Sequence, residues 1–168
     1  AAGLGLTRSA AYRIVYTLEK EGFLARDPAT RRFRLTSRVL AIGFEYLHAQ
    51  DLPDQARPVL RDLSEATGAA AHLVVLEGWH VLYLARVAPA TPLVSNLQVG
   101  TRLPCHVTAS GRALMACMDA PALDALYARI AAECREVAPP PSAAALRGQA
   151  EADRARGHVY RESVLDPG

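Results

Sequence analysis

The chain has 168 residues, with 51% hydrophobic and 21% charged side chains, a balance that excludes wholesale disorder. Its longest apolar run falls far short of the roughly 18 residues of a membrane span, and no basic, apolar-cored leader opens it. Three cysteines (Cys105, Cys117, Cys134) without a C-x-x-C pair argue against a disulfide framework and fit a reducing cytoplasm.

The net charge of +2 conceals a split. Residues 1–50 carry eight basic and four acidic side chains, whereas residues 51–168 carry eleven and thirteen. A basic segment on a near-neutral body is the electrostatic footprint of an anion-binding module, and an ordinary solvated face would look the same from charge alone.

Taken in chain order, Thr7 to Lys20 predicts a helix. Ala11, Ile14, Val15 and Leu18 form one apolar stripe, Thr7 supplies an N-cap and Gly22 follows the end. The opposite side carries Arg8, Ser9, Tyr12, Arg13, Tyr16 and Thr17. Two short alternating runs, 23–26 and 32–35, flank Asp27-Pro28-Ala29-Thr30-Arg31 and predict a β-hairpin. Helix, glycine stop and basic hairpin follow one another in the order of a winged helix-turn-helix.

A second helix is expected over Ser37 to about Gln50, interrupted at Asp51-Leu52-Pro53. A third is expected over 54–67, with Val59, Leu60, Leu63 and Ala66 inward and Gly68 at its close. Residues 72–76 and 81–85 read as two strands around Glu77-Gly78-Trp79-His80. Further elements are expected as a strand at 93–99, helices at 109–118, 120–134 and 142–156, and a returning strand at 157–163. The fold class is therefore α+β, with a boundary near Gln50.

Three groups of residues could carry chemistry. Arg8, Ser9, Tyr12 and Arg13 occupy the start of the first helix, where a helix in a DNA major groove presents base-reading side chains. The hairpin arginines Arg26, Arg31, Arg32 and Arg34 suit backbone phosphates or an adjacent minor groove. Cys105, His106, Cys117, His72, His80 and His158 lack the converging spacing of metal ligands, and no metal or other cofactor is expected. Thr108-Ala109-Ser110-Gly111-Arg112 departs from the G-x-S-x-G nucleophile elbow, and no acid partner accompanies His106 and Ser110. It reads instead as a capped helix start whose backbone N–H groups could seat a carboxylate or phosphate. A plain cap packed on the sheet accounts for the same residues.

Three segments together resemble the IclR family of bacterial transcriptional regulators: LGLTRSAAYRIVYTLEKEGFL at 4–24, RFRLTSRVLAIG at 32–43 and VGTRLPCHVTASGRALMA at 99–116. RGHVYRES at 156–163 fits a weaker motif that follows. The resemblance implies a winged-helix DNA-binding domain at 1–36 lacking its first helix, a linker and dimerisation helix at 37–50, and a GAF-like α/β effector-binding domain at 51–168, incomplete at its C-terminal end. With Ala1-Ala2-Gly3 at one end and Asp166-Pro167-Gly168 at the other, the chain reads as a fragment open at both ends.

Carried over by position, the resemblance assigns Arg8, Ser9, Tyr12, Arg13, Thr17, Arg31 and Arg32 to double-stranded operator DNA. It assigns Leu103, Ala109, Ser110 and Gly111 to a small carboxylic-acid effector, for which aromatic and short keto acids both suit the family. It further implies recognition rather than catalysis, self-association as a dimer or tetramer, and no membrane partner. Two other readings use the same residues: a sensory enzyme dependent on Ser110 or His106, and a protein-interaction domain using the helix at 37–50.

Overall fold

The computed structural model describes residues 5–48, 51–89 and 97–160. The chain divides into two compact units, residues 1–51 and 52–168.

In the first unit, α1 (Arg8–Lys20) begins where Thr7 adopts extended backbone and its hydroxyl accepts from the Ala10 N–H at 3.2 Å. It stops at Glu21, and Gly22 takes the left-handed conformation (φ 75°) that turns the chain back. β1 (Leu24–Arg26) and β2 (Phe33–Leu35) then pair antiparallel, Leu24 opposite Leu35 and Arg26 opposite Phe33. The Asp27 carboxylate organises the turn by accepting from the N–H groups of Ala29 and Thr30, both at 2.8 Å. α2 (Arg38–His48) follows. Its first residue lays a guanidinium over the Phe23 ring, while the Thr36 hydroxyl donates to the Gly22 carbonyl.

α1 buries no residue. Ala11 and Val15 of its expected inward stripe are half-buried, but Ile14 and Leu18 are 49% and 37% exposed, so within this unit the stripe is only partly covered.

All of α3 (Asp51–Thr67) but its first residue belongs to the second unit, and the helix starts three residues earlier than expected. Pro53 does not interrupt it, because a proline in the first turn forfeits an N–H that has no intrahelical partner. The inward face also differs. Leu60 is buried together with Pro53 and Ser64, whereas Val59 and Leu63 are 67% and 52% exposed. Ser64 tolerates burial because its hydroxyl donates to the Ala69 carbonyl at 2.8 Å.

β3 (Ala71–Glu77), β4 (His80–Val87) and β5 (Arg102–Pro104) form an antiparallel sheet with β4 central. Between Leu73↔Ala85 and Val74↔Tyr83 the register shifts, leaving Leu84 as an extra residue on β4. One face packs Ala71 and Ala85 against Leu60 of α3. The other carries the main core, where Val81 and Tyr83 meet side chains from the three helices after the sheet.

Those helices are α4 (Ala109–Ala116), α5 (Ala120–Glu133) and α6 (Ala143–Arg156). Each begins on a capping side chain: Thr108, Asp119 and Ser142. A turn of 3₁₀ helix, Cys105–Val107, joins β5 to α4. Met115, Leu123, Leu126, Ile130 and Leu146 fill the space over the sheet. Of the strand expected at 93–99, residues 93–96 lie outside the described residues, and 97–100 run as loop and turn. Of that expected at 157–163, residues 157–160 are irregular and the rest lie outside the described residues.

Candidate functional site

Arg8, Ser9, Tyr12 and Arg13 line one open depression on α1. Their spacing of one, three and four residues places them on one helical face, and Thr17 continues it one turn beyond Arg13. Tyr12 is 70% exposed and its ring stacks on Tyr16, with centroids 6.4 Å apart. Tyr16 thus belongs to this surface, on the side of the helix where the sequence pattern puts it. The Ser9 hydroxyl lies 3.2 Å from that of Thr7, which ties it to the helix cap.

Arg31 and Arg32 are exposed at the hairpin turn, and Arg31 holds a left-handed backbone (φ 60°) that a non-glycine residue seldom adopts. Arg26 is committed within the hairpin. Its guanidinium covers the Phe33 ring and its Nε donates to the Arg31 carbonyl. Among the described residues, none of Arg8, Arg13, Arg31 and Arg32 forms an ion pair. This surface therefore presents uncompensated positive charge.

In the second unit, Thr108 caps α4 by accepting the Gly111 N–H at 3.0 Å, and its own hydroxyl donates to the Cys105 carbonyl at 3.3 Å. Gly111 consequently departs from its expected role. Its N–H is consumed by the cap, and its lack of a side chain serves packing, because a Cβ would fall 2.1 Å from the Cys105 carbonyl oxygen. The N–H groups of Ala109 and Ser110 have no acceptor among the described residues. They remain the donors at the positive end of the α4 dipole.

Leu103, on β5 opposite Val81, is half-buried and packs against the main core. Neither it nor Ala109 nor Ser110 lines the cavity of about 310 Å³ beside α4, whose walls include His106, Arg112, Pro140, Leu146 and Gln149. There His106 Nε2 lies 3.0 Å from the Ala138 carbonyl and must be the protonated nitrogen.

α4 is held firmly at its other end. From α6, Arg154 donates to the carbonyls of Ala116 and Met118, both at 2.6 Å, satisfying acceptors at the α4 C-terminus. Among the described residues no cluster of His, Cys, Asp and Glu could hold a metal, and no helix is long and apolar enough to cross a membrane.

Comparison with known proteins bears on both units. Residues 1–28 match the IclR helix-turn-helix domain, and residues 44–157 match the model described as bacterial transcriptional regulator IclR C-terminal. The chain is 39% identical over 115 residues to the Pca regulon regulatory protein of Pseudomonas putida, an overlap covering 68% of this chain and 39% of that protein. It is 35% identical over 116 residues to the glycerol operon regulatory protein of Streptomyces griseus, covering 69% and 46%. The chain thus spans less than half the length of these curated relatives.

Among solved structures, a transcriptional-regulator structure from Rhodococcus sp. RHA1 superposes with a TM-score of 0.64 at 32% identity, over 90% of this chain and 60% of that one. An IclR homologue from Microbacterium hydrocarbonoxydans, complexed with 4-hydroxybenzoate, gives 0.64 at 25% identity over 90% and 62%. With a basic recognition-type helix in one unit, an open helix terminus in the other and family models matching both, the chain belongs to the IclR family of bacterial transcriptional regulators.

Proposed function

We propose that this chain carries the operator-reading and effector-sensing elements of a transcription factor whose DNA binding is controlled by a small carboxylic acid. The observation that carries the DNA half is the set of four guanidiniums without an ion pair among the described residues, Arg8 and Arg13 on α1 and Arg31 and Arg32 on the hairpin. A B-DNA major groove admits one α-helix, and arginine at its leading end reads guanine bidentately. Tyr12, Ser9 and Thr17 add hydroxyl contacts to bases or phosphates. The hairpin arginines follow the neighbouring backbone, where they release counterions without reading sequence.

The sensing half rests on the Ala109 and Ser110 N–H groups, which point off the start of α4 with the helix dipole behind them. An effector carboxylate accepts from both, with Leu103 as an apolar neighbour. The bound 4-hydroxybenzoate of the Microbacterium homologue makes an aromatic acid the first class to try. Such a ligand moves the protein between DNA-competent and incompetent arrangements only through its different affinity for the two. Self-association as a dimer or tetramer in the cytoplasm would set two α1 helices on paired half-sites.

The test is capture of genomic fragments by the protein, followed by titration of the best fragment at two salt concentrations, with and without benzoate. A specific site whose affinity falls steeply with salt supports the reading. Absence of any specific site under both conditions overturns it.

A further inference from the structure

β3 and β4 carry a pair of polar side chains with buried nitrogens that find no partner among the described residues. His72 and Arg86 stand opposite each other across the two strands. His72 Nε2 and Arg86 Nε are both buried, and neither makes a hydrogen bond among the described residues. Arg86 forms no ion pair among the described residues.

Their neighbours fix the face on which they sit. The His72 ring meets Tyr83 edge-on, with centroids 5.4 Å apart. Tyr83 belongs to the core that contains Met115 of α4 and Cys105. Ala85, next to Arg86 and so directed to the other side, packs with Leu60 of α3. His72 and Arg86 therefore share the side of the sheet that α4 covers.

A guanidinium keeps its charge at any physiological pH and accepts nothing, so only an acceptor can satisfy its buried Nε–H. Burial, helped by the Arg86 charge, pushes the His72 imidazole below its ordinary value and keeps the ring neutral near pH 7. One cation and one N–H-bearing ring thus stand opposite each other with no anion paired to them among the described residues. An apolar pair such as Val74 opposite Tyr83, two register steps away, would fill this place without the desolvation cost. The missing complement is an oxyanion that accepts from both groups.

We propose that His72 and Arg86 form an anion seat on the α4 side of the sheet, which takes the carboxylate of a small organic acid between the Arg86 Nε–H and the His72 Nε2–H. The proposal rests on the effector-sensing reading of this unit and places an anchor on β3 and β4, separate from the donors at the start of α4.

The experiment titrates the isotope-labelled 168-residue chain with sodium benzoate and with sodium pyruvate while following its histidine ring signals and the amides of Ala109 and Ser110. His72→Gln assigns the His72 ring. At least one of the two anions should move that ring saturably, and Arg86→Met should weaken its binding tenfold or more. Arg102→Met, which removes an exposed arginine paired with Glu77, should leave binding unchanged. Because Arg86→Met removes a half-buried guanidinium that has no ion pair among the described residues, the melting temperature of the free variant should equal or exceed that of the parent. Lower stability together with unchanged binding would show Arg86 to be structural and overturn the proposal. Shifts at Ala109 and Ser110 with an unmoved His72 ring would overturn it while leaving carboxylate sensing intact. Silence at all these signals with both anions would overturn both.

Discussion

Arg112 of α4 grips Asp153 of α6 with two parallel hydrogen bonds, Nε to Oδ2 at 2.8 Å and Nη2 to Oδ1 at 2.7 Å. The Asp153 side chain is 1% exposed and that of Arg112 14%, and Arg156 adds a second guanidinium to the same carboxylate. This is the polar clasp that fixes the register of α4, and hence the direction of its open N-terminus. Deleting Asp153 leaves the Arg112 guanidinium charged, largely buried and without an ion pair among the described residues. Asp153→Ala should therefore cost about 3–5 kcal/mol in chemical denaturation. Replacing both by Met and Leu should cost far less, because no orphan charge remains. Burial works to raise the Asp153 carboxyl, but the hydrogen bonds and charges of Arg112 and then Arg156 outweigh it and hold the group below its ordinary 3.8. The stabilisation is thus complete above the unfolded value and is lost as pH falls through the lower folded one. Asp153→Asn should flatten that acid limb, which a series of denaturation midpoints from pH 6 to 2.5 measures.

Gly111 is irreplaceable for reasons of space. A Cβ there would lie 2.1 Å from the Cys105 carbonyl oxygen and 2.5 Å from its Cα, and both are backbone atoms that cannot rotate away. Gly111→Ala should destabilise by about 3 kcal/mol, the upper end of overpacking costs. Ser110→Ala, one residue earlier and only half-buried, should fall within about 0.5 kcal/mol of the parent. Comparing the two variants in urea separates the packing role of this motif from its binding role, and equal stabilities would contradict the geometry.

Much of this arrangement could be read from the residues. The Thr7 cap, the Gly22 stop and the Asp27 turn are local chemistry, and each forms as its side chain dictates. The elements that escaped depend on tertiary choice. α3 carries two apolar stripes, and its sequence does not say that the one through Pro53 and Leu60 would face the sheet while Val59 and Leu63 stayed exposed. β5 has only three residues and ends in proline, too short for alternation to register. The His72–Arg86 pairing depends on cross-strand register, and the extra Leu84 shifts that register in a way no periodicity reveals. At the helix start, the sequence could place Thr108 as a cap. It could not show that the cap would spend the Gly111 N–H and leave Ala109 and Ser110 as the open donors.

The cysteines should separate sharply in reactivity. Cys105 is fully buried, and burial, with Cys134 close by, pushes its thiol up to about 11. Cys134 is also buried and donates to the Val137 carbonyl, whereas Cys117 is exposed. At pH 8 a thiol reagent should label one cysteine quickly in the native protein and all three after unfolding, because the reactive species is an accessible thiolate. The raised value also carries a stability consequence. The unfolded thiol ionises first, near 9, so stability should decline as pH rises from there toward 11. Cys105→Ala should remove that component of the alkaline limb, although its lost packing lowers stability at every pH. Rapid native labelling of Cys105 would contradict the burial on which both expectations rest.

The two classes of arginine in the first unit should separate in the same way, by what each does to DNA binding. Arg13 lies with Arg8 and Tyr12 on the exposed face of α1, where a groove-bound helix meets base edges. If it pairs with guanine, Arg13→Ala should weaken the best operator by about 1–3 kcal/mol and relax preference at one base position. Arg32 sits on the hairpin, carries no ion pair among the described residues and meets phosphate in the proposed docking. Arg32→Ala should weaken specific and random DNA alike, and the slope of log affinity against log salt should fall by about one. Titrations of both variants against the operator and a scrambled duplex, each at several salt concentrations, distinguish the roles. A uniform defect in Arg13→Ala would move that arginine from base edge to backbone, and a base-specific defect in Arg32→Ala would place the hairpin in the adjacent minor groove, where an inserted arginine reads A·T against G·C content and groove width rather than phosphates alone.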